Sequence, residues 1–519
     1  MERPDRKRRG VCAALAMALA GSPAAYAAAP PLRLVDALHR ALSANPDLQV
    51  QQAATEAARG QLQQATGQFD TVLGAGAEYA RQQVPSPLPG ALQGTTYSAG
   101  YRAGARKQLR SGPTLGASLD AKSYQDSALP GAQAPATVTL GVTLNLPLLR
   151  GRGGREVAAI EDAASLQLQA SELALRDSAA QALHRTLSAY WAYAIQFALE
   201  QVARDSEQRS RELLASTQKL VDAAEKPRGD LVLLQADLAD RVASRQAAAL
   251  ALSEARIALG RLLGMDGAAI AALAAPADAL PAILAIGMPA EAQLIQLRTA
   301  ARQRRPDLAA LGAQVAAAQR QTEAAQHRLL PDLNLQLGVG YAKAHDGSNR
   351  YPWWGEAGRV QHGASLSARL VYEFPLQNNA ARGTLRERAA QLEQAALRQR
   401  DLEAAVAAGI DSAVASLATR SAQLQVAQQA LALYERAVGQ EMVKQKNGIA
   451  TLIDVINVES RFINARTSYL QTYLAYAQAM ARLRYESGTL LPVAGTRFEL
   501  DPAELAGLGP LASQLAPPP

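Results

Sequence analysis

Cysteine is nearly absent from this 519-residue chain: the single one is Cys12. It falls in a basic opening, MERPDRKRRG, that runs into the apolar VCAALAMALAG and ends at the small residues Ala25–Ala27. That pattern predicts a secretory leader over residues 1–27, too short to cross a membrane as a helix. The expected mature chain then has no disulfide, no thiolate nucleophile and no cysteine metal site, and the surroundings of Cys12 predict no lipid anchor. The leader also carries part of the formal charge of +7, since its removal leaves 48 Lys and Arg against 44 Asp and Glu. No basic stripe interleaved with aromatics remains, so nucleic acid is not an expected partner.

Other absences narrow the class further. The five histidines (His39, His184, His327, His345 and His362) are dispersed, without an HExxH or other paired spacing. No Gly-Lys-Ser/Thr phosphate loop occurs, and Gly74–Gly76 and Gly338–Gly340 sit in strand-like stretches rather than before helices. Hence no enzyme is expected, and no metal or cofactor. After the leader no run of 18 apolar residues appears, which excludes a spanning helix of the usual kind. A membrane-spanning part would have to be a β-barrel.

Alternation is plentiful. From Leu333, LNLQLGVGY puts Leu333, Leu335, Leu337, Val339 and Tyr341 on one face; ASLSARLVYEF (364–374) and TVTLGVTLNL (137–146) repeat the pattern. Residues 69–81, 95–109 and 114–124 add three more candidates, so six strands are expected, four in the first half and two in the second. RSGP (110–113) is a tight turn, whereas 84–94 and 125–135 are longer and rich in Pro, Gly and Gln. Period-two stretches of about ten residues, with short turns at one end and long loops at the other, are the signature of outer-membrane strands.

The rest is helical. Residues 156–225 contain no proline and predict a rod of roughly 100 Å, returned by 231–263; 384–446 and 451–487 repeat the plan. Such helices bury their stripes only against one another, as in coiled coils. Two segments open alike, PDLQVQQAATEAARGQLQQA at Pro46 and PDLAALGAQVAAAQRQTEAA at Pro306, and each precedes strands and a long hairpin. LPLLRG (146–151) against FPLQNNAARG (374–383), and GRLLG (260–264) against ARLRYESG (481–488), extend the echo. Two internal structural repeats are therefore expected. Their expected parts are N-terminal helices 28–68, strands 69–149 and hairpin 150–264, then a linker 265–292, a helix 293–330, strands 331–376, hairpin 377–488 and a tail 489–519.

Together LRLVDALHRALSANPDL (32–48), NLPLLRGRGG (145–154), the AYW of 189–191 and NGIATLIDVINVESRFINAR (447–466) resemble the TolC-like outer-membrane efflux proteins. The resemblance implies an α+β membrane protein: a trimeric transmembrane β-barrel continuous with a long periplasmic α-helical coiled-coil barrel. It implies a homotrimer in the outer membrane of a Gram-negative bacterium, in contact with outer-membrane lipid. It also implies a periplasmic adaptor (membrane fusion) protein and an inner-membrane pump of RND or ABC type. The expected function is a passive exit duct for efflux or type I secretion. A periplasmic coiled-coil tether without a pore is the rival reading, which the alternating strands oppose.

Residue by residue, Asp454 matches the family's acidic position at the closed inner mouth, Asn457 stands where a second acid is usual, and Asp230 is a substitute in the first hairpin. Thr451–Asp454 also reads simply as a helix capping box. The tips Lys226, Pro227, Arg228 and Gly229, and Lys446, Asn447 and Gly448, are candidates for adaptor docking, with plain turns as the alternative. Tyr79, Tyr97, Tyr101, Tyr341, Trp353, Trp354, Tyr372 and Phe374 cluster at the strands although aromatics make up only 4% of the chain, which suits an interfacial girdle. Tyr190, Trp191 and Tyr193 are expected to be packing anchors. Family members usually give two strands per half, so residues 95–124 either join the wall, for eighteen strands, or project from a wall of twelve. Twelve is the expected count.

Overall fold

A strand whose residues alternate between apolar and small or polar has two chemically distinct faces, and here six such strands align theirs side by side. The computed structural model describes residues 31–84, 94–126, 136–224, 227–284, 286–345, 360–447, 449–491, 507, 508 and 511. Strands β1 (Thr71–Val84), β2 (Gly94–Gln108), β3 (Thr114–Asp126), β4 (Ala136–Pro147), β5 (Asp332–His345) and β6 (Val360–Glu373) form one six-stranded antiparallel sheet in sequence order. The register is continuous across it: Gly74 pairs with Gly104, Gly104 with Ser118, Ser118 with Gly141, Gly141 with Gly340, and Gly340 with Ser365.

Because side chains alternate and paired residues share a face, this register sorts the whole sheet. One face carries Leu73, Tyr101, Leu119, Leu140, Val339 and Leu366, all exposed. The other carries glycines, serines and threonines together with Glu78, Arg102, Asp120, Lys122 and Arg369. The expectation that residues 95–124 stand apart from a four-stranded wall does not hold for this sheet. β2 and β3 lie between β1 and β4 with full ladders on both sides, and among the described residues β1 pairs with no other strand.

Ahead of the strands come α1 (Leu34–Ala44) and α2 (Pro46–Thr66); behind β4 come α3 (Val157–Asp222) and α4 (Gly229–Leu262), then the short α5 (Gly267–Ala271). The second half has α6 (Glu291–Arg304) and α7 (Pro306–His327) before β5, and α8 (Asn379–Lys446) and α9 (Leu452–Glu486) after β6. At 66 and 68 residues, α3 and α8 are each about 100 Å long. α3 packs along α4, α7, α2 and α9, and α8 along α9 and α7. By length and composition α8 contains a stretch apolar enough to cross a membrane. Its Val406, Ile410, Leu417 and Leu424 instead enter the helical core.

Each Pro-Asp-Leu helix starts for a different reason. Asn45 caps α2, accepting hydrogen bonds from the Asp47 and Leu48 amides. Before α7 the equivalent position is Arg305, which caps nothing with its side chain and pairs with Asp307 and Glu486 instead. Both hairpins end on a left-handed glycine, Gly264 (φ +61°) and Gly488 (φ +68°). A Cβ on Gly264 would lie 2.2 Å from the Ala44 carbonyl oxygen, and one on Gly488 3.0 Å from the Arg304 Cβ. Each glycine thus seats its hairpin against the last residue of the helix preceding a Pro-Asp-Leu helix.

Residues 265–290 form a packed band. The Tyr190 hydroxyl donates to the Asp278 carboxylate, and Tyr193 donates to the Ala274 carbonyl. Tyr476 accepts from the Leu284 amide and Tyr473 donates to the Pro281 carbonyl. Tyr190, Trp191 and Tyr193 are buried in the cluster that includes Leu38, Leu187 and Leu259, so all three act as packing anchors.

Candidate functional site

Exposed side chains of distinctive chemistry gather in two places, the sheet and the tips of the two long hairpins. At the second tip, Thr451 caps α9. Its hydroxyl oxygen accepts from the Asp454 amide at 3.3 Å, while the Asp454 carboxylate accepts from the Thr451 amide at 2.9 Å and from its hydroxyl at 2.6 Å. These hydrogen bonds, from the hydroxyl first and then the amide, hold the Asp454 carboxyl below the usual aspartate range. The side chain is nonetheless exposed, so a capping role leaves the carboxylate open to solvent. Asn457 is exposed one turn further along α9.

At the first tip, Asp230 lies in the first turn of α4, where a carboxylate complements the helix dipole. Pro227, Arg228 and Gly229 are exposed, as is Asn447 at the second tip. Lys226 and Gly448 lie outside the described residues, as does the side chain of Lys446. Sequence reasoning chose the turn residues, through Ile449 at the second tip, and passed over the apolar residues of the flanking helices. Val232, Val443, Ile449 and Ile453 are 68%, 58%, 75% and 55% exposed. Isolated apolar residues in a helical sequence carry no label for exposure, and only the fold brings these four to the same end.

A little above the tips, polar contacts join the two hairpins. Arg209 of α3 pairs with Glu459 of α9 at 2.7 Å. Arg241 of α4 donates to the Ser460 hydroxyl at 2.6 Å and pairs with Asp237 at 3.0 Å, and Ser210 donates to Asp237 at 2.8 Å. Sequence reasoning missed this set, because residues 250 apart in sequence meet only after the hairpins fold together.

On the sheet, Tyr79, Tyr97 and Tyr101 occupy the apolar face toward the ends of β1 and β2 far from the helices, and Tyr341 that of β5. Tyr372 and Phe374 lie at the helix-side end of β6, both exposed. Trp353 and Trp354 lie outside the described residues. The opposite face is a concave trough with a volume of about 1120 Å³, lined by Gly74, Arg102, Gly116, Thr143, Asn145 and Gln336 among others. Among the described residues no three His, Asp or Glu side chains converge as metal ligands would.

Residues 297–489 match the family model described as outer membrane efflux protein. Solved structures share the fold over most of the chain. The outer-membrane channel OprN is 18% identical with a TM-score of 0.65, over 88% of this chain and 89% of that one. The CmeC outer membrane channel of Campylobacter jejuni is 15% identical with a TM-score of 0.64, over 88% and 85%. The outer membrane protein VceC of Vibrio cholerae is 18% identical with a TM-score of 0.62, over 88% and 96%. No curated protein matches.

Proposed function

We infer that the chain belongs to the outer membrane efflux protein family, whose model matches residues 297–489. It is a passive exit duct in the outer membrane with a large periplasmic helical portion, and it is not an enzyme. One observation carries this reading: a six-stranded sheet with one exposed face that is apolar through its middle, its few charged residues confined to the strand ends, runs directly into helices about 100 Å long. In water that face would be an aggregation surface; in lipid it is at home. A soluble tether has no use for it.

Within this reading three copies close the barrel, because a sheet edge left open in lipid has unpaired backbone groups costing several kcal/mol each. The two halves act as structural repeats, supported by the paired contacts of Gly264 and Gly488 beneath the two Pro-Asp-Leu helices. Asp454, once per protomer, lies around the closed inner mouth. Three exposed carboxylates near an axis attract cations and repel one another, which assists opening. Asn457 adds a polar, uncharged group beside it. The tips dock the helical hairpins of a periplasmic adaptor, through the exposed Val232, Val443, Ile449 and Ile453 as much as through Arg228 and Asn447. The adaptor joins the duct to an inner-membrane pump of RND or ABC type, which supplies the energy and selects the cargo.

Outer-membrane fractions are expected to hold the protein as a heat-modifiable trimer that conducts ions in planar bilayers. A water-soluble periplasmic monomer without conductance would overturn the reading.

A further inference from the structure

Resting on that reading, we propose that the β2–β3 hairpin is part of the membrane wall, so that three copies joined β1 to β6 close an eighteen-stranded barrel. Three independent features of the chain support it.

The first is the parity of the hairpin. Between Tyr97 and Lys107, the apolar face of β2 carries only Ala99, Tyr101, Ala103 and Ala105, and that of β3 carries Leu115, Ala117, Leu119 and Ala121. Every charged residue of the hairpin's middle (Arg102, Arg106, Asp120 and Lys122) points to the other face. A hairpin projecting into water has no reason to keep its charges on one side. One with lipid behind it must.

The second is the way those charges are bound to the neighbouring strands. Arg102 pairs with Asp120 across β2 and β3, and Glu78 of β1 reaches past β2 to Lys122 of β3 at 3.7 Å. The path crosses Gly100, where a Cβ would stand 2.9 Å from the Glu78 carboxylate oxygen. The polar face of the hairpin is therefore continuous with that of β1.

The third is the turn, which has a fitted seat at the junction of sheet and helices. Gly112 (φ +107°) takes a conformation that favours glycine, and its Cβ would lie 2.2 Å from the Gly151 carbonyl oxygen. Arg110 beside it makes a two-pronged ion pair with Glu161 of α3, 2.7 Å at each prong, and stacks over the Phe69 ring at 4.7 Å. β2 and β3 thus begin and end at the same level as the strands around them.

The free edges are β1 and β6, each 14 residues long, with the same apolar and polar sides. A second copy of this chain continues the sheet from either edge without changing which face is dry. Because barrel diameter grows roughly linearly with strand number, the lumen is about one and a half times as wide as a twelve-stranded one. The outer end then admits bulkier cargo and sets no size limit on what the pump delivers.

Cysteine scanning tests this cleanly, since Cys12 is the only native cysteine. In outer membranes, Ser118→Cys and Gly104→Cys should react with a water-soluble maleimide. Leu119→Cys and Ala103→Cys should lose that reactivity, and nitroxide-labelled lipid should quench a fluorophore at either. Thr139→Cys and Leu140→Cys on β4 are the reference pair. If β4 alternates while both faces of β2 and β3 react with the maleimide, the hairpin lies outside the wall and the proposal fails. If β4 does not alternate either, the outer-membrane reading itself fails. Electron cryomicroscopy of the wild-type assembly supplies a count free of any substitution: eighteen strands support the proposal, and twelve, from two or three copies, overturn it.

Discussion

Asp454 has an observed role and a proposed one, and substitution can pull them apart. As the third residue of α9 it completes a reciprocal cap with Thr451; in the proposed duct its exposed carboxylate is expected to act on ions. Thr451→Ala removes half of the cap and keeps the charge; Asp454→Ala removes the charge and the other half. Closed-state conductance in planar bilayers is expected to rise for Asp454→Ala and stay near wild type for Thr451→Ala. An unchanged Asp454→Ala channel would leave only the capping role. Ala224 offers a second test at this scale. It ends α3 in the left-handed region at φ 59°, where a Cβ crowds the backbone by about 1 kcal/mol. Ala224→Gly should therefore raise thermal stability by up to about 1 kcal/mol, read as a higher melting temperature of the purified protein.

At the scale of elements, the tips can part only if the hairpins slide or bend relative to each other, and the Arg209–Glu459 and Arg241–Ser460 contacts oppose that. Both lie within about four turns of the tips. Arg209 is over a third exposed and Glu459 mostly shielded, so the pair is worth about 1 kcal/mol or less after solvent screening. Glu459→Gln should then shift opening toward the open state by up to about fivefold, seen as greater leakage of a large antibiotic into cells. Leakage equal to wild type would deny the contact any part in closure. These elements were readable in sequence to different depths. The strands and rods announced themselves, because alternation over TVTLGVTLNL and a proline-free stretch from Glu156 admit few other conformations. The pairing of strands did not. The alternation of residues 95–124 and their tight turn favoured the wall, but the family's usual two strands per half outweighed them and pointed the wrong way for this sheet. The decisive facts are non-local, namely the ladders on both flanks of the hairpin and the seat of Gly112 against Gly151. The candidate gate was legible through its local TLID cap, while the Arg209–Glu459 tie, 250 residues apart, had no local signal.

For the whole molecule, a cluster that joins α3 to α7 and α9 contributes a pH dependence whose sign can be worked out. Arg305 is only 7% exposed and pairs with Asp307 at 2.7 Å and Glu486 at 2.6 Å. Burial alone would lower its affinity for a proton, but the two carboxylates reverse the sign, so it stays charged. Asp177 of α3 approaches the same cluster, bonded by Gln181 at 2.7 Å and by the Tyr485 hydroxyl at 3.5 Å. Burial, and then the nearby Asp307, raise the Asp177 carboxyl above the usual aspartate range, against the pull of Gln181, Arg305 and Tyr485. A carboxyl raised on folding binds its proton more tightly in the folded state, so stability falls as pH climbs from the unfolded to the folded value. Above both values the destabilisation is complete. Asp177→Asn keeps one oxygen to accept from Gln181, turns an amide N–H toward the Tyr485 hydroxyl oxygen, which can accept it, and carries no charge to bury. It is therefore expected to melt at a higher temperature than wild type at pH 7, with the difference shrinking as pH falls through the aspartate range. His184, stacked on Tyr485 with ring centroids 5.3 Å apart, works in the opposite sense. Burial lowers its affinity for a proton, so acid destabilises the fold through it in both proteins alike. Comparing the two melting curves at each pH cancels that contribution and isolates Asp177. A variant that melts below wild type at pH 7 would mean that the ionised carboxylate, held beside Arg305, stabilises the cluster.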